Sequence, residues 1–329
     1  MILQSKRVWI GGQFLEAQIE ISEGRIEAIY PYGTKHADED YGNKRIIPGF
    51  IDVHTHGAYG FDTNDAKPEG LRDWMKRIPE EGVTGILPTT VTQMPDVLTK
   101  AVANVAAVVK EGYEGAEILG IHFEGPYLDM EYKGAQPPEA IAEPSVEQFQ
   151  MYQEAAQGLI KYITLAPEHD TDFALTKYCK STGVVVSMGH SSATYEQALM
   201  GIANGATSMT HVYNGMTMLR HREPGLVGTA FRVRDIYGEI ICDGCHSHLA
   251  ALNNYVTSKG RDYTIMISDS LRPKHCPPGG DYELGGHAIE ISPSGLAYLK
   301  GTNTIAGSTL CMNKGLRILV EEALIPFDT

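Results

Sequence analysis

The sequence predicts an α/β protein built around a closed barrel of eight parallel strands, preceded by a small strand-rich domain. Three observations support this fold class. From about residue 46, apolar runs of strand length alternate with stretches of helical periodicity, which is typical of βαβ units and a parallel sheet. The 329 residues exceed the roughly 250 that a (β/α)8 barrel takes. Several runs end in histidine or an acidic residue, and the strand ends of a barrel meet at one mouth.

Residues 1–45 are predicted to form the small β-rich domain. Short runs at 7–10, 17–21 and 25–29 alternate apolar and polar residues and are separated by glycine-containing turns. This pattern is typical of antiparallel hairpins. A polar, charged segment ends this domain near residue 45, and the barrel domain is predicted to occupy residues 46–329.

The barrel prediction depends on eight apolar runs and on the helices between them. An open, doubly wound sheet is the alternative, but it would place a glycine-rich phosphate-binding turn after its first strand, and this sequence has none there. The predicted strands are 46–53, 83–88, 116–123, 162–166, 184–188, 206–210, 239–242 and 264–268. The predicted helices are 68–78, 95–110, 144–156, 195–203 and 308–322.

Two segments near the C-terminus depart from this alternation. Residues 270–307 are rich in proline and glycine and are predicted to be an irregular excursion with a β-like stretch at 283–299. Such long loops at a barrel mouth are normally functional. Residues 323–329 read as the loop and N-cap of a helix that does not follow, so we expect either a fragment or a missing tail.

The charge balance and the cysteines narrow the function classes. With 27 Lys+Arg against 41 Asp+Glu the chain carries a net charge of −14, which repels phosphate backbones and anionic lipid surfaces. Nucleic acid and membranes are therefore not expected as partners. Five cysteines are too sparse for a disulfide framework and favour reduced thiols in the cytoplasm. The pair Cys242 and Cys245 follows a strand pattern, so we interpret it as packing rather than redox or zinc chemistry.

Residues that can bind a metal follow several predicted strands. His54 and His56 end the first strand, and both imidazoles face the same side because side chains alternate along a strand. Glu124 follows the third strand, and His190 and His211 follow the fifth and sixth. Imidazole and carboxylate are zinc-type ligands, so the sequence predicts a hydrolytic metal site. The alternatives are packed or capping histidines, and a general-base role for Glu124.

Asp269 follows the eighth predicted strand. One interpretation is that it caps a following turn. We prefer a catalytic role because of its position at the barrel mouth. Beside a metal, a carboxylate can take the proton of an activated water and return it to a leaving group.

Motifs in the same order along nearly the whole chain, from about residue 2 to 325, add a family resemblance. They are residues 48–57, 122–126, 165–168, 189–191, 210–216, 222–225, 243–246, Asp269 and 307–308. Together they closely resemble the N-acetylglucosamine-6-phosphate deacetylases of the amidohydrolase superfamily. The His54-x-His56 pair alone is typical only of the superfamily, whereas the combined set is specific.

The resemblance implies a metal-dependent barrel enzyme. In it, Glu124, His190 and His211 bind the principal ion, while His54 and His56 can hold a second ion with Glu124 between the two. One or two divalent ions are therefore expected. Zinc is the expected metal, with iron, manganese or cobalt as alternatives.

The resemblance also implies a site for a sugar phosphate. Arg222 and His246 would contact the phosphate, joined by backbone amides near Asn214 and Gly215. Arginine offers a planar fork that matches phosphate oxygens, although a solvated loop charge is the alternative for Arg222. The predicted substrate contacts are Arg222, His246, Asn214, Gly215, Gln136, Ala306 and Gly307.

The chain departs from the family pattern in three places. Many relatives have histidine where this chain has Gln136, which can donate a hydrogen bond to a substrate oxygen but carries no charge. After Asp269 the family continues with a short loop, whereas here residues 270–276 intervene, and Arg272 and Lys274 within them either reach a phosphate or are solvated. The strands that normally pair with the N-terminal domain are absent after Thr329.

The predicted function is hydrolysis of the acetamide of N-acetyl-D-glucosamine 6-phosphate to D-glucosamine 6-phosphate and acetate, in amino-sugar catabolism. The expected partner is this small phosphorylated N-acetyl amino sugar, and a homodimer is expected. N-acetylgalactosamine 6-phosphate is the alternative substrate. A cyclic-amide hydrolase of the same superfamily would often carry a modified lysine where this chain has residues 165–168, which contain none. A non-catalytic scaffold would have no reason to keep the ligand candidates and Asp269.

Overall fold

The computed structural model describes residues 1–277 and 279–327. The chain divides into two compact units. The first comprises Met1–Gly49 with the chain end from Pro326, and the second comprises Phe50–Ile325. The predicted boundary near residue 45 lies close to the first division.

The first unit is a five-stranded sheet. Its core is a small cluster of Val8, Ala17 and Ile19, which are buried on one side of the hairpin formed by the first two strands. The sheet order is β3-β2-β1-β4, with β5 also paired to β1. The strands are β1 (Ile2–Ile10), β2 (Gln13–Ser22), β3 (Arg25–Pro31), β4 (Glu39–Asp40) and β5 (Arg45–Ile46). The hairpins predicted from alternation are thus present.

The second unit contains the remaining strands and all α-helices of the described residues. The strands are β6 (Phe50–Thr55), β7 (Gly57–Ala58), β8 (Phe61–Asp62), β9 (Val83–Pro88), β10 (Glu117–Ile118), β11 (Ile121–Glu124), β12 (Ile160–Leu165), β13 (Val185–Met188), β14 (Ser208–Met209), β15 (Tyr237–Ile241), β16 (Thr264–Ile267), β17 (Tyr282–Leu284), β18 (His287–Ile291), β19 (Leu296–Leu299) and β20 (Ile305–Ser308). The helices are α1 (Pro68–Arg77), α2 (Pro95–Glu111), α3 (Val146–Ala155), α4 (Ala174–Ser181), α5 (Tyr195–Asn204), α6 (Gly225–Arg232), α7 (Leu249–Lys259) and α8 (Met312–Arg317), the last continuing as a π-helical turn, Ile318–Glu322.

Eight parallel strands form a barrel in the order β6, β9, β11, β12, β13, β14, β15, β16. A bridge between Thr89 and His122 joins β9 to β11. The amide of Asp269, just after β16, donates to the carbonyl of His54 in β6 at 2.9 Å. All eight predicted strands are present, so the predicted fold class is confirmed. The third differs in detail, because it begins as the short strand β10 before continuing as β11.

The five predicted helices are also present, but three others were missed. The helix predicted at 308–322 begins only at Met312 and ends as the π-helical turn. The missed helices lack a clear signal. The eight-residue α6 is buried along most of its length and contains two glycines, while α4 is also only eight residues long. Two turns of amphipathic pattern are too few to identify a helix in α4 and α6, and the eleven-residue α7 is only weakly amphipathic.

The excursion after β16 is more regular than predicted. It folds into a four-stranded antiparallel sheet, β17-β18-β19-β20, and its own small core contains Leu271, Leu284, Ile289 and Ala297. We call this element the mouth sheet, because some of its residues line the pocket described below. The β-like stretch predicted at 283–299 is confirmed by β17, β18 and β19. The irregular structure predicted around it was wrong, because strands this short carry little periodicity.

No helix among the described residues is both long enough and apolar enough to span a bilayer.

Candidate active site

Three predicted ligands converge at the ends of β11, β13 and β14. Glu124 is the last residue of β11, and His190 and His211 lie just beyond β13 and β14. The Nε2 atoms of both histidines are 3.3 Å from Glu124 Oε1 and 3.1 Å from each other. All three side chains are buried. The sequence prediction that these strand ends meet is borne out by their geometry.

The hydrogen bonds of the two histidines indicate a cation between them. Nδ1 of His190 lies 2.8 Å from the carbonyl of Tyr132, and Nδ1 of His211 lies 3.0 Å from the carbonyl of Asn214. A carbonyl can only accept, so in the neutral rings the proton is on Nδ1 and both Nε2 atoms carry lone pairs. Two lone pairs 3.1 Å apart repel each other unless a cation lies between them. The residues present therefore fit a metal ion.

A second group of ligand atoms lies beside the first. His54 Nε2 is 3.4 Å from Glu124 Oε1 and 3.6 Å from Asp269 Oδ1. His56 Nε2 is 3.2 Å from both Glu124 Oε2 and Asp269 Oδ1. His54 Nε2 and Glu124 Oε1 are buried without a hydrogen-bond partner in the described part of the chain. Buried polar atoms of this kind are costly unless a ligand satisfies them, so this group also fits an ion.

The carboxylate of Asp269 is oriented by the backbone around it. Its residue has φ of +48° and is held by two main-chain hydrogen bonds, one to His54 and one from Ser308. The side chain contacts His54 and His56, and among the described residues it accepts no hydrogen bond from a backbone amide. A capping role has no support in this geometry.

A pocket opens from the two ligand groups. Asp269 lines it beside the metal ligands, and Leu284 and Ile305 of the mouth sheet close one side. Six of the seven predicted substrate contacts line the same pocket. They are His246, Asn214, Gly215, Gln136, Ala306 and Gly307.

Arg222, the seventh predicted contact, does not line this pocket. It is exposed on a loop beside a separate cavity that is also lined by Tyr132, Thr194 and Met218. The structure therefore separates Arg222 from the group of residues around Glu124.

Gln136 is more constrained than the sequence suggests. Its Oε1 accepts from the amide of Thr92 at 2.8 Å, and its Nε2 donates to Glu124 Oε2 at 2.9 Å. The two bonds fix the orientation of the amide, because neither partner can exchange its role. One hydrogen on Nε2 remains beyond the bond to Glu124. Gln136 thus both holds a metal-type ligand and lines the pocket.

His246 is held by a neighbouring acid. Its Nδ1 donates to Asp243 Oδ2 at 2.7 Å, which leaves Nε2 for a pocket ligand. Asp243 also accepts from the amides of Cys245 and His246. Burial raises the pKa of Asp243, but these bonds outweigh it and the pKa is lowered. The ionised carboxylate of Asp243 thereby fixes the orientation of the His246 imidazole.

The two cations of the intervening segment lie elsewhere. Lys274 is fully buried and pairs with Glu81 at 2.9 Å. Arg272 pairs with Asp65 at 3.0 Å. The sequence offered two interpretations for these residues, a phosphate contact or a solvated charge. Neither fits, because both cations form ion pairs within the chain. Neither side chain lines the pocket around Glu124.

The electrostatics of the ligand groups follow from their burial. Burial lowers the pKa of His56, but Asp269 and Glu124 outweigh it and raise the pKa to about 9. Burial also raises the pKa of Glu124, yet the surrounding histidines hold this pKa well below its usual range. Without a metal, protons on His54 and His56 thus compensate the carboxylates. A metal must displace these protons to bind.

The sequence reasoning missed the residues behind the ligands. Glu239, in β15, is fully buried and contacts His54 Nδ1 at 3.0 Å. Tyr162 and His122 are buried next to it. The sequence contained a signal for Glu239, because this acidic residue interrupts an otherwise apolar predicted strand. The interpretation of the CxxC pair as packing holds for Cys242, which is buried and free, but not for Cys245, which is exposed.

Comparison with known proteins shows the family of this chain. The model of the amidohydrolase family matches residues 45–320. An N-acetylglucosamine-6-phosphate deacetylase from Bacillus subtilis (strain 168) is 40% identical, over 92% of this chain and 78% of its own. An N-acetylgalactosamine-6-phosphate deacetylase from Escherichia coli O157:H7 is 32% identical, over 97% of this chain and 84% of its own.

Solved structures give the same picture. A mutant N-acetyl-D-glucosamine-6-phosphate deacetylase from Mycobacterium smegmatis, in complex with N-acetyl-D-glucosamine-6-phosphate, matches with a TM-score of 0.94 at 30% identity, over 100% of this chain and 85% of that chain. A D-hydantoinase, at 14% identity and a TM-score of 0.55, shares the fold alone.

A closed parallel barrel with histidine and carboxylate ligands at its mouth defines the class of metal-dependent barrel hydrolases. The family match and the curated relatives narrow this class. The chain belongs to the amidohydrolase family, among its N-acetylglucosamine-6-phosphate deacetylases.

The raised pKa of His56 gives a testable pH dependence of stability. A group with a folded pKa of about 9 against 6.5 for the free imidazole contributes stability below pH 6.5, which is lost as the pH rises through 9. For the metal-free protein we expect the free energy of unfolding to fall over this range by on the order of 3 kcal/mol. Urea unfolding at several pH values measures it.

The metal-loaded protein is the matched control. Bound metal replaces the protons on the histidines, so it should remove most of the pH dependence of the free energy of unfolding. A metal-free protein whose stability is constant or rises between pH 6.5 and 9 would show that His56 is not protonated in this cluster.

Proposed function

We propose that this chain hydrolyses the acetamide of N-acetyl-D-glucosamine 6-phosphate to D-glucosamine 6-phosphate and acetate. The observation that carries the proposal is a single pocket that joins two groups of residues. One is the group of metal-type ligands around Glu124, and the other is the pair of His246 and the Asn214–Gly215 backbone. Relatives of this name at up to 40% identity support the same activity.

Amidohydrolase family enzymes are metal-dependent, and the donor set here suits zinc, with iron, manganese or cobalt as alternatives. We propose that Glu124, His190 and His211 hold one ion, and that His54, His56 and Glu124 can hold another. When bound, the metal supplies an activated water and draws charge from the acetyl carbonyl. Gln136 fixes the carboxylate of Glu124 and directs its remaining amide hydrogen to the pocket.

Asp269 is the proposed proton carrier. Its carboxylate lies within 3.2 Å of His56 Nε2 and lines the pocket, so it can accept the proton of the attacking water. The same carboxylate then gives this proton to the leaving amine, so a single group acts first as the base and then as the acid. Burial raises the pKa of Asp269, but His56 and His54 outweigh it and lower the pKa, so the group starts as the carboxylate that a base requires.

The phosphate would lie at the other end of the pocket. His246, held by Asp243, donates from Nε2 when that nitrogen is protonated, and the amides near Asn214 and Gly215 add neutral donors. Ala306 and Gly307 also line this pocket, and because their side chains are small or absent they expose mainly backbone to it. Arg222 is proposed as a further phosphate contact; because it lines a separate cavity in this structure, its exposed loop would have to carry it to the pocket.

A homodimer is the proposed assembly. Met218 and Leu219, on the loop of Arg222, are each 53% exposed, and a second copy would remove this apolar surface from water. A cytoplasmic location is also proposed, because the five cysteines are free and free thiols persist in a reducing compartment.

Acetate release separates the two candidate sugars. We expect the metal-loaded chain to hydrolyse N-acetyl-D-glucosamine 6-phosphate with a higher kcat/KM than the galactosamine isomer, because the most similar of the relatives named above acts on the gluco sugar. The galacto isomer is tested as the alternative because of the relative at 32% identity. Activity that survives complete removal of metal would contradict the proposed chemistry.

Replacement of Asp269 by Asn tests the proton carrier. Asparagine keeps the size and the contact to His56 but cannot accept a proton, so kcat should fall by at least about 100-fold. The bound metal, measured by mass spectrometry of the purified protein, should be retained. A variant with normal turnover and normal metal content would assign Asp269 a structural role.

Replacement of the cationic candidates locates the phosphate. A charge-assisted hydrogen bond contributes about 1.5–3 kcal/mol, so His246→Ala or Arg222→Ala should lower kcat/KM for the 6-phosphate by roughly 10- to 150-fold. Hydrolysis of the unphosphorylated N-acetyl sugar should change little. Arg222→Lys should recover only part of the loss because it lacks the planar fork. Arg220→Ala is the matched control, since that exposed arginine lies two residues from Arg222 and pairs with Glu223; equal losses on both sugars would exclude the phosphate contact.

A further inference from the structure

A carboxylate behind the ligand groups contacts a ligand of each proposed ion. Glu239 is fully buried, and its Oε2 lies 3.0 Å from His54 Nδ1. The same oxygen accepts from the backbone amide of His211 at 3.3 Å. Its other oxygen, Oε1, lies 2.6 Å from the hydroxyl of Tyr162. Glu239 therefore connects the His54 side chain to the segment that carries His211.

The tyrosine fixes how the carboxylate is turned. The Tyr162 hydroxyl is 2.6 Å from Glu239 Oε1 and from Ser208 Oγ. A carboxylate only accepts, so the single hydroxyl proton of Tyr162 goes to Glu239. Oε2 is then left to accept from His54, which places the His54 proton on Nδ1. Once a metal has displaced the second proton of His54, the lone pair of Nε2 points to Glu124 and Asp269.

A neighbouring histidine does not compete for this arrangement. The His122 ring lies 4.5 Å from the His54 ring, measured between centroids. Its Nδ1 is 2.9 Å from the carbonyl of Val53, and its Nε2 is 2.7 Å from Thr164 Oγ1. Both ring nitrogens are thus engaged. The cluster of His54, His122 and Glu239 is not itself a metal site, and Glu239 acts through His54.

Charge balance favours two ions over one. Glu124, Asp269 and Glu239 are all buried in this cluster, and within the described residues their ion pairs are with histidines only. Buried charges are expensive unless they are compensated. One divalent ion leaves the three carboxylates with an excess negative charge that a proton on His54 or His56 must compensate, whereas two divalent ions need no such proton.

We propose that Glu239 is a positioning residue that commits His54 to bind a second metal ion through Nε2. The inference rests on the proposed metal roles of His54 and His56. Partners that orient a metal-binding histidine typically change metal affinity by about 10- to 100-fold. The effect should fall on the second ion, because the His211 imidazole is oriented by Asn214 and not by Glu239.

Titration of the metal-free chain with Co²⁺ tests the proposal. Visible absorption follows binding, and elemental analysis gives the number of ions per chain. Wild type should bind two ions in two resolved phases. Glu239→Gln keeps the shape and can still accept from His54, but it removes the charge. We expect its first phase to be unchanged and its second to be weakened by about 10- to 100-fold.

Two further variants make the test specific. Asp170→Asn is the matched control, because Asp170 is also a buried carboxylate but bonds to Leu175 and Thr176 rather than to a ligand candidate; it should retain both phases. Tyr162→Phe keeps the charge of Glu239 and frees its rotation, so the second phase should weaken measurably, by less than about tenfold. If Glu239→Gln does not fold, the second binding phase of Tyr162→Phe tests the positioning role in its place.

Several outcomes would overturn the inference. They are a wild type that binds one ion, a Glu239→Gln variant that binds both ions normally, and a variant that loses both ions together with a lowered unfolding midpoint. Because the titration uses no sugar, failure of the proposed deacetylation leaves this result standing. Conversely, if the enzyme is active and Glu239→Gln binds both ions normally, only the positioning role of Glu239 is refuted.

Discussion

The site depends on one buried carboxylate shared by four imidazoles. Glu124 lies within 3.2–3.4 Å of Nε2 atoms on His54, His56, His190 and His211. An ionised group in this position is tolerated only if opposite charge surrounds it. Protons on the histidines or metal ions can provide that charge, and the rest of the site keeps the five side chains in place for either. Carbonyls hold the Nδ1 atoms of His190 and His211, while Gln136 holds the carboxylate itself.

The barrel explains why residues so distant in sequence reach one point. Each ligand lies at or just beyond the end of a strand, and neighbouring parallel strands bring those ends together. His190, His211 and Asp269 all have positive φ values, between +28° and +48°, at the points where the chain leaves its strand. Left-handed backbone is costly for such residues, so the surrounding hydrogen bonds must impose it. The site is therefore constrained by the same contacts that close the barrel.

The predicted barrel is confirmed, and the predicted ligand candidates lie together, for a physical reason. Buried parallel strands appear as continuous apolar runs, and a histidine or carboxylate at the end of such a run stands out. The predictions were weaker where the signal was local or absent. The strands of the mouth sheet and helix α6 are too short to show a clear period. The cavity that Arg222 lines depends on the path of one loop. Lys274 could not be interpreted because its partner Glu81 is remote in sequence.

The pairing of Lys274 with Glu81 has a consequence for how ligands enter. It anchors the segment that leads into the mouth sheet, while Ser308 at the other end is hydrogen bonded to Asp269 and Leu271. Loss of either partner would leave a buried charge uncompensated, at a cost of about 3–5 kcal/mol. A ligand therefore enters past a wall, formed in part by Leu284 and Ile305, that is anchored at both ends.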